Sequence, residues 1–512
     1  MSFRDTINPT GMFILANMVF SFLFNSAFGY GLATVYSLFT FVLLLTLRGR
    51  GVYSVACISG AIIAFLYCPI GLTFGPPDLN AMTSMTYTDK AETLEFFLSI
   101  SIWKWLISVS ILLSAVSCCL LKPKTSFVLP RILSLVSVMT FFSTPIKAAY
   151  QDNIFSPLDS HYPPIRFVND AYSAYKQVNS DKSFYEKNVK KTDSWNADIK
   201  NDNYDTVVII IGESVRRDFM SAYGFPVNNT PFMQSTPGIT FTDYISSGPA
   251  TVLSLTHSLY RFKDGRVEYN NSIVRLLGKS GYHTNWISNQ GVFGGADSPV
   301  SLAGKQAEDY HFVKNGSSNK FLYSPDEKML PLISDALNRK GKKAVFIHLM
   351  GSHPVACVRT NGHYDNFFRS REESCYIQSI KNTDALLDSV HGMLGKTSGS
   401  WAMMYFADHG LQIVDKGTSE ERLQHSDKYQ NNYDVPLFVT TSDMAERKVI
   451  TAPRSGFDLI PLITQLLGIS EPSTDLQCNL FSDEICNEER VVLKKDGSLI
   501  PYNTLPREEA LQ

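Results

Sequence analysis

Five apolar segments run in close succession through the first part of the chain: Met12–Phe28, Gly31–Leu47, Val52–Phe74, Phe96–Leu121 and Ser126–Pro145. A helix needs about 20 predominantly apolar residues to cross the hydrocarbon core of a bilayer. A soluble fold would have to bury all five segments on every side, so the succession reads as a membrane domain of five transmembrane α-helices. The first segment is not a cleaved signal peptide, because further spans follow it at once.

Charge between the segments sets an orientation. Arg4 precedes the first segment, Arg48 and Arg50 follow the second, and Lys122 and Lys124 follow the fourth. The link after the third is acidic, with Asp78, Asp89, Glu92 and Glu95 against Lys90. Basic links thus alternate with neutral or acidic ones, which places the N-terminus in the cytoplasm. An odd number of spans places everything after Pro145 on the far side. Lys104 and Arg131 fall near span ends, where their stems can snorkel.

The expected organisation is a membrane domain over residues 1–149, a bridging arm over 150–204 and a soluble domain over 205–512. The arm carries Pro157, Pro163 and Pro164, then Tyr172, Tyr175 and Tyr185. It reads equally as an interfacial segment or as an ordinary linker. With 46 Lys and Arg against 48 Asp and Glu, and no long basic run, nothing points to a nucleic-acid partner. Of eight cysteines, Cys57, Cys68, Cys118 and Cys119 lie in apolar stretches. Cys357, Cys375, Cys478 and Cys486 form two local pairs in the polar part, open to disulfides, free thiols or a zinc knot.

From Asp205 onward, short β-branched runs alternate with helical patterns. Thr206–Ile211, Thr284–Ser288, Ala344–Leu349, Trp401–Phe406 and Pro436–Thr440 read as buried strands. This implies an α/β domain with a mainly parallel central sheet covered by helices. Ligands in such folds bind beyond the carboxyl ends of the strands. The unusual polar residues fall there: Glu213 and Ser214 in IIIGES, His348 and His353 in HLMGSH, Asp408 and His409 in FADHG, and His425 before DVP. Singly, each has a bland reading as a cap, a turn or a satisfied core group. Together, carboxylates and imidazoles from separate strand ends are what a metal site requires.

At these residues the sequence resembles the phosphoethanolamine transferases of Gram-negative envelopes, within the alkaline phosphatase and sulfatase superfamily. The ordered motifs VVIIIGES, SSGPATVLSLTH, HLMGSHP, FADHG and the histidine before DVPLFV carry the resemblance, which covers nearly the whole chain. It implies a zinc-dependent phosphotransferase in the inner membrane with its catalytic domain in the periplasm. Thr251 would be the nucleophile, with Ser254 or Ser247 as alternatives. Glu213, Thr251, Asp408 and His409 would hold one Zn²⁺. His353 and His425 would bind substrate phosphate or a second zinc, and Asn289 and Gln290 the donor phosphate. The donor would be phosphatidylethanolamine, the acceptor an envelope glycan or lipid A, and the enzyme a monomer. The soluble cysteines would pair as Cys357 with Cys375 and Cys478 with Cys486.

The sequence also departs from the family's lipid A branch. Ser247 and His257 stand where that branch has cysteines, and Leu411 stands in place of a glutamate after DHG. Val292, Phe293 and Gly294 occupy the stretch where a lysine is expected. These departures leave the acceptor open. Phosphoglycerol transfer, a sulfatase-like phosphodiesterase and a non-catalytic binding module are the competing readings. The formylglycine setting of sulfatases, C/S-x-P-x-R, is missing around residue 251.

Overall fold

A computed structural model describes the chain apart from residues 1–8, 32, 49–50, 89, 124–130, 153–154, 200–202, 292–296, 314–323, 475–477, 487–488 and 509–512. Arg4, Arg50, Asp89, Lys124, the start of the fifth apolar segment and Val292–Gly294 therefore lie outside the described residues. Contacts divide the chain into two compact units. One comprises Met1–Met82 and Phe96–Asn179, the other Thr83–Glu95 and Ser180–Gln512.

The helices of the N-terminal part are α1 (Pro9–Ser26), α2 (Ala33–Leu47), α3 (Gly51–Phe74), α4 (Leu79–Tyr87), α5 (Lys90–Ser99), α6 (Ile102–Leu120), α7 (Arg131–Asp152) and α8 (Pro163–Asn188). Among the described residues, four helices are long and apolar enough to cross a membrane, not the five expected: α1, α3, α6 and α7. Helix α2 has 15 residues. At 1.5 Å per residue it is about 22 Å long, short of a core about 30 Å thick. It is shortened by the turn that precedes it. Gly29 sits at φ 76°, and a Cβ there would meet Gly71 O at 2.5 Å, so the chain turns against α3 before α2 begins.

Two further boundaries differ from expectation. The fourth segment is broken between Ser99 and Ile102, with Ser101 extended as the N-cap of α6. The fifth runs through Pro145 to Asp152 rather than ending at the proline, which apolar helices tolerate where neighbours satisfy the freed carbonyl. Polar contacts tie this bundle together, such as Tyr53 OH to Asn17 Oδ1 (2.9 Å) and Asn25 Nδ2 to Thr40 Oγ1 (2.8 Å). The loop after α3 contributes Thr83–Glu95 to the second unit, where buried Glu95 pairs with buried Arg359.

The second unit is built on an eight-stranded sheet: β1 (Thr206–Gly212), β2 (Gly238–Phe241), β3 (His283–Ser288), β4 (Asp309–Phe312), β5 (Lys343–His348), β6 (Trp401–Ala407), β7 (Leu437–Thr441) and β8 (Arg447–Ile450). Their spatial order is β8-β2-β7-β6-β1-β5-β3-β4. The run β6-β1-β5-β3-β4 is parallel. Strand β7 runs antiparallel to both β6 and β2, so the sheet is mixed rather than uniformly parallel. β1 and β6 are buried along their whole length, as expected for strands covered on both faces. Both expected disulfides form, Cys357–Cys375 and Cys478–Cys486, and the cysteines of the apolar part are free.

Candidate active site

Strand register builds the site. Gly212 at the end of β1 lies opposite Ala407 at the end of β6. The next residues, Glu213 and Asp408, therefore leave the sheet side by side, and Asp408 N donates to Gly212 O (3.1 Å). Ser214 then takes a left-handed backbone, φ 60°, which is costly for a residue with a Cβ. That turn lets its N–H donate to Asp408 Oδ1 (2.9 Å) and its hydroxyl to Glu213 Oε1 (2.6 Å). The His409 Nδ1–H donates to Gly410 O (2.9 Å), which fixes the tautomer and turns Nε2 inward. Nε2 lies 3.4 Å from Glu213 Oε1 and 3.5 Å from Asp408 Oδ2.

Thr251 is the first residue of the helix Thr251–Leu259. Its hydroxyl donates to Glu213 Oε2 (3.0 Å) and stands 3.4 Å from His409 Nε2. The other two candidate hydroxyls are committed elsewhere. Ser254 Oγ donates to Asp408 O (2.6 Å) and Ser247 Oγ to Ser254 O (2.8 Å), so the first fastens the helix to the FADHG turn and the second ties the preceding segment to the helix. Where a disulfide was expected to be missing, Ser247 and Ser258 hydroxyls lie 3.1 Å apart. His257 packs against Phe262 and Phe457. The position after DHG, Leu411, is fully buried.

The His409 and His425 rings are 4.8 Å apart, and the His425 and His353 rings 5.8 Å, so all three histidines adjoin the carboxylates. Gln290 joins them, its amide donating to Glu213 Oε2 (2.8 Å) and Leu349 O (2.9 Å). Asn289 does not. Its amide is spent on Ser324 O (2.8 Å) and Asp326 Oδ1 (2.7 Å). His348 is buried and faces Ser288 (3.2 Å).

Asp326 had no signal in the sequence, yet it organises the neighbouring loop. Its carboxylate accepts from Met350 N (2.9 Å) and Gly351 N (2.8 Å) as well as Asn289, anchoring the turn that leads to His353. Gly351 sits at φ 47°, and a Cβ there would meet Glu213 N at 3.1 Å. Only a glycine lets this turn rest on the site.

The electrostatics are those of crowded, buried carboxylates and imidazoles. Burial opposes ionisation of Glu213, but the bond and charge of His409, the charge of His353 and the Ser214 hydroxyl hold it well below the usual carboxylate range. Burial and the charge of Glu213 push Asp408 up to about 8. Burial disfavours a charged His409, but Asp408 and Glu213 raise it to about 9. Burial, with the charges of His409, His353 and Lys495, holds His425 well below its ordinary value. Ligand atoms of Glu213, Asp408 and His409 all lie within 4.8 Å of one another, and Asp408 Oδ2 is buried with no hydrogen bond. Two carboxylates and an inward imidazole nitrogen, with one oxygen unsatisfied, fit a divalent cation.

This strand-end cluster, with a threonine donating into it, lies in a domain of the sulfatase class: residues 205–469 match the sulfatase family. The phosphoethanolamine transferase OpgE of Escherichia coli (strain K12) is 31% identical over 472 residues, covering 91% of this chain and 90% of that protein. EptC of the same strain is 24% identical over 412 residues, covering 73% and 70%. Among solved structures, the integral membrane phosphoethanolamine transferase EptA of Neisseria meningitidis has a TM-score of 0.60 at 16% identity, covering 90% of this chain and 96% of that one. The zinc complex of the C-terminal periplasmic domain of Escherichia coli EptC has a TM-score of 0.53 at 20% identity, covering 62% and 98%. The chain belongs to the phosphoethanolamine transferase family, as a multi-pass membrane protein with a soluble C-terminal catalytic domain.

Proposed function

We propose that this protein transfers phosphoethanolamine from phosphatidylethanolamine to a hydroxyl or phosphate of an envelope glycan or lipid A, through a covalent intermediate on Thr251. The observation that carries the reading is the Thr251 hydroxyl donating to Glu213 (3.0 Å) within a buried cluster of carboxylates and imidazole. The relatives are phosphoethanolamine transferases, and one of them binds zinc in a domain of this fold.

Glu213, Asp408 and His409 are the residues that would hold Zn²⁺. When bound, that ion supplies positive charge that lowers the pKa of the neighbouring hydroxyl. The chain's own residues do the rest. Thr251 Oγ1, held at a helix start, attacks phosphorus. A bond forms from Oγ1 to phosphorus, and the bond from phosphorus to the diacylglycerol oxygen breaks. The threonine proton passes by way of the site's histidines to that leaving oxygen. His353 and His425 face charge developing on the transferring group. In the second half the acceptor oxygen attacks phosphorus, the bond from phosphorus to Oγ1 breaks, and the acceptor's proton passes by way of the same histidines to Oγ1, which regenerates the Thr251 hydroxyl.

A periplasmic placement is supported by the two disulfides of the soluble unit against free thiols in the apolar unit. It is also supported by the loop carrying Glu95. That loop groups with the soluble unit, and its charge is acidic.

Incubation with phosphatidylethanolamine, followed by intact-mass measurement, tests the proposal. Wild type should carry a phosphoethanolamine adduct that Thr251→Ala lacks while remaining folded. An adduct of phosphoglycerol mass would replace the donor, and an adduct persisting in T251A would remove Thr251 from the role.

A further inference from the structure

The sulfatase match ends at residue 469, but the chain continues and returns to the site. Val491–Leu493 and Leu499–Pro501 form an antiparallel hairpin. Its base is fastened to the segment before the nucleophile, Leu493 N donating to Ser247 O (2.9 Å). Beyond the hairpin, Tyr502 OH donates to Asp434 Oδ1 (2.5 Å) and Glu508 N to Asn431 Oδ1 (2.9 Å). The C-terminal segment thus clasps both the nucleophile loop and the loop that follows His425.

The hairpin turn is where this clasp meets the site. Lys494 Nζ pairs with Asp427 Oδ2 (3.1 Å), and the Lys495 backbone N–H donates to the same oxygen (3.0 Å). Lys495 Nζ then reaches back to His425 O (3.3 Å). Its backbone and its ammonium are both tied to the loop that presents the His425 ring.

We propose that Lys495 is a cationic contact for the donor's phosphodiester, its ammonium meeting a non-bridging phosphate oxygen beside His425. The inference rests on the reading of Thr251 as phosphoryl acceptor. A phosphodiester is an anion, and it must approach a centre containing Glu213 and Asp408. An ion bound between those carboxylates offsets their charge, and binding the diester then requires a further fixed cation. Lysine serves as a compact point charge for phosphate. Anchoring at two places means little ordering is needed when substrate arrives.

Full-length protein in detergent, given fluorescent phosphatidylethanolamine and followed by diacylglycerol release, tests this. Lys495→Met should raise the donor KM about tenfold, the loss of one charge-assisted hydrogen bond, with little change in kcat, zinc content or Tm. Lys495→Arg, which keeps the charge, should stay within about threefold of wild type. Binding of inorganic phosphate to zinc-loaded protein, read by calorimetry, should weaken in K495M and survive in K495R. The calorimetry reads Lys495 even if wild type releases no diacylglycerol, an outcome that would overturn the donor reading alone. Unchanged KM and phosphate affinity in K495M would overturn the inference. Equal impairment of K495M and K495R with a lowered Tm would also overturn it, because the role would then be the tie to the His425 carbonyl.

Discussion

Glu213 and Arg216 are near neighbours in sequence, and both are fully buried, but their surroundings treat charge in opposite ways. Around Arg216, a guanidinium faces carboxylates on two sides. Its Nε and Nη2 donate to Asp218 (2.9 and 2.7 Å), its Nη1 donates to Leu411 O (3.2 Å), and it pairs with Glu508. Burial opposes ionisation of Asp218, but Arg216 holds it below its ordinary range. Around Glu213 there are two carboxylates and one imidazole, Asp408 is pushed up to about 8, and one of its oxygens accepts nothing. The first cluster is closed by a permanent cation of the chain. The second is balanced only by protons, which a divalent ion can replace. Complete compensation marks a structural joint, whereas incomplete compensation marks a place prepared for a ligand.

The sharpest way to break this contrast is to neutralise Asp408. Asp408→Asn should lower transfer on the order of 10³-fold, comparable with removing a principal electrostatic stabiliser of a transition state. The metal-free protein should be no less stable than metal-free wild type, because the substitution removes like-charge repulsion. Zinc should raise the Tm of wild type more than that of D408N, and chelation should inactivate wild type. If D408N unfolds while wild type ignores zinc, the cluster is a structural joint after all.

The converse change is Arg216→Met. It leaves buried Glu508, and the half-exposed Asp218, opposite an apolar chain, and breaking the buried pair with Glu508 in this way costs about 3–5 kcal/mol. The expected readout is a large drop in Tm or denaturation midpoint, with zinc affinity retained in the protein that remains folded. Intact stability with lost zinc binding would merge the two clusters into one.

The strands that position the site were legible because burial on both faces writes continuous apolar runs, as in TVVIII of β1. What such runs do not write is direction or partner. β7 read like the others yet runs antiparallel. The edge strands β4 and β8, and β2 beside β8, are short, with little pattern of their own, and were missed. Glu213, Asp408 and His409 could be placed at strand ends, but their convergence depends on the Gly212–Ala407 register, and the role of Thr251 came from resemblance. Asp326 and Glu508 act through distant partners, Gly351 and Arg216, and no local spacing announces such pairs. Apolar composition located the membrane helices, but the length of α2 depended on the Gly29–Gly71 approach, a tertiary fact.

His257 offers a third way of handling buried charge, and the smallest expected effect. It is neither paired with a carboxylate nor near a cation. Its Nδ1–H donates to Leu253 O (2.8 Å) and its ring lies against Phe262 and Phe457. Burial lowers its pKa from 6.5 to about 4, with the Leu253 bond opposing. The folded state therefore binds a proton less readily than the unfolded state. Its contribution to stability is fully present above about pH 6.5 and is lost as pH falls from there toward 4. The loss amounts to about 3–4 kcal/mol for a shift of this size. His257→Met should flatten the acid limb of a Tm-against-pH curve by about that amount while leaving stability near pH 8 little changed. Neither the Arg216 network nor the zinc-loaded cluster should reproduce that flattening, because charges in both are matched by opposite charges rather than suppressed by apolar surroundings. An unchanged acid limb in H257M would mean that the acid sensitivity belongs to the carboxylate clusters.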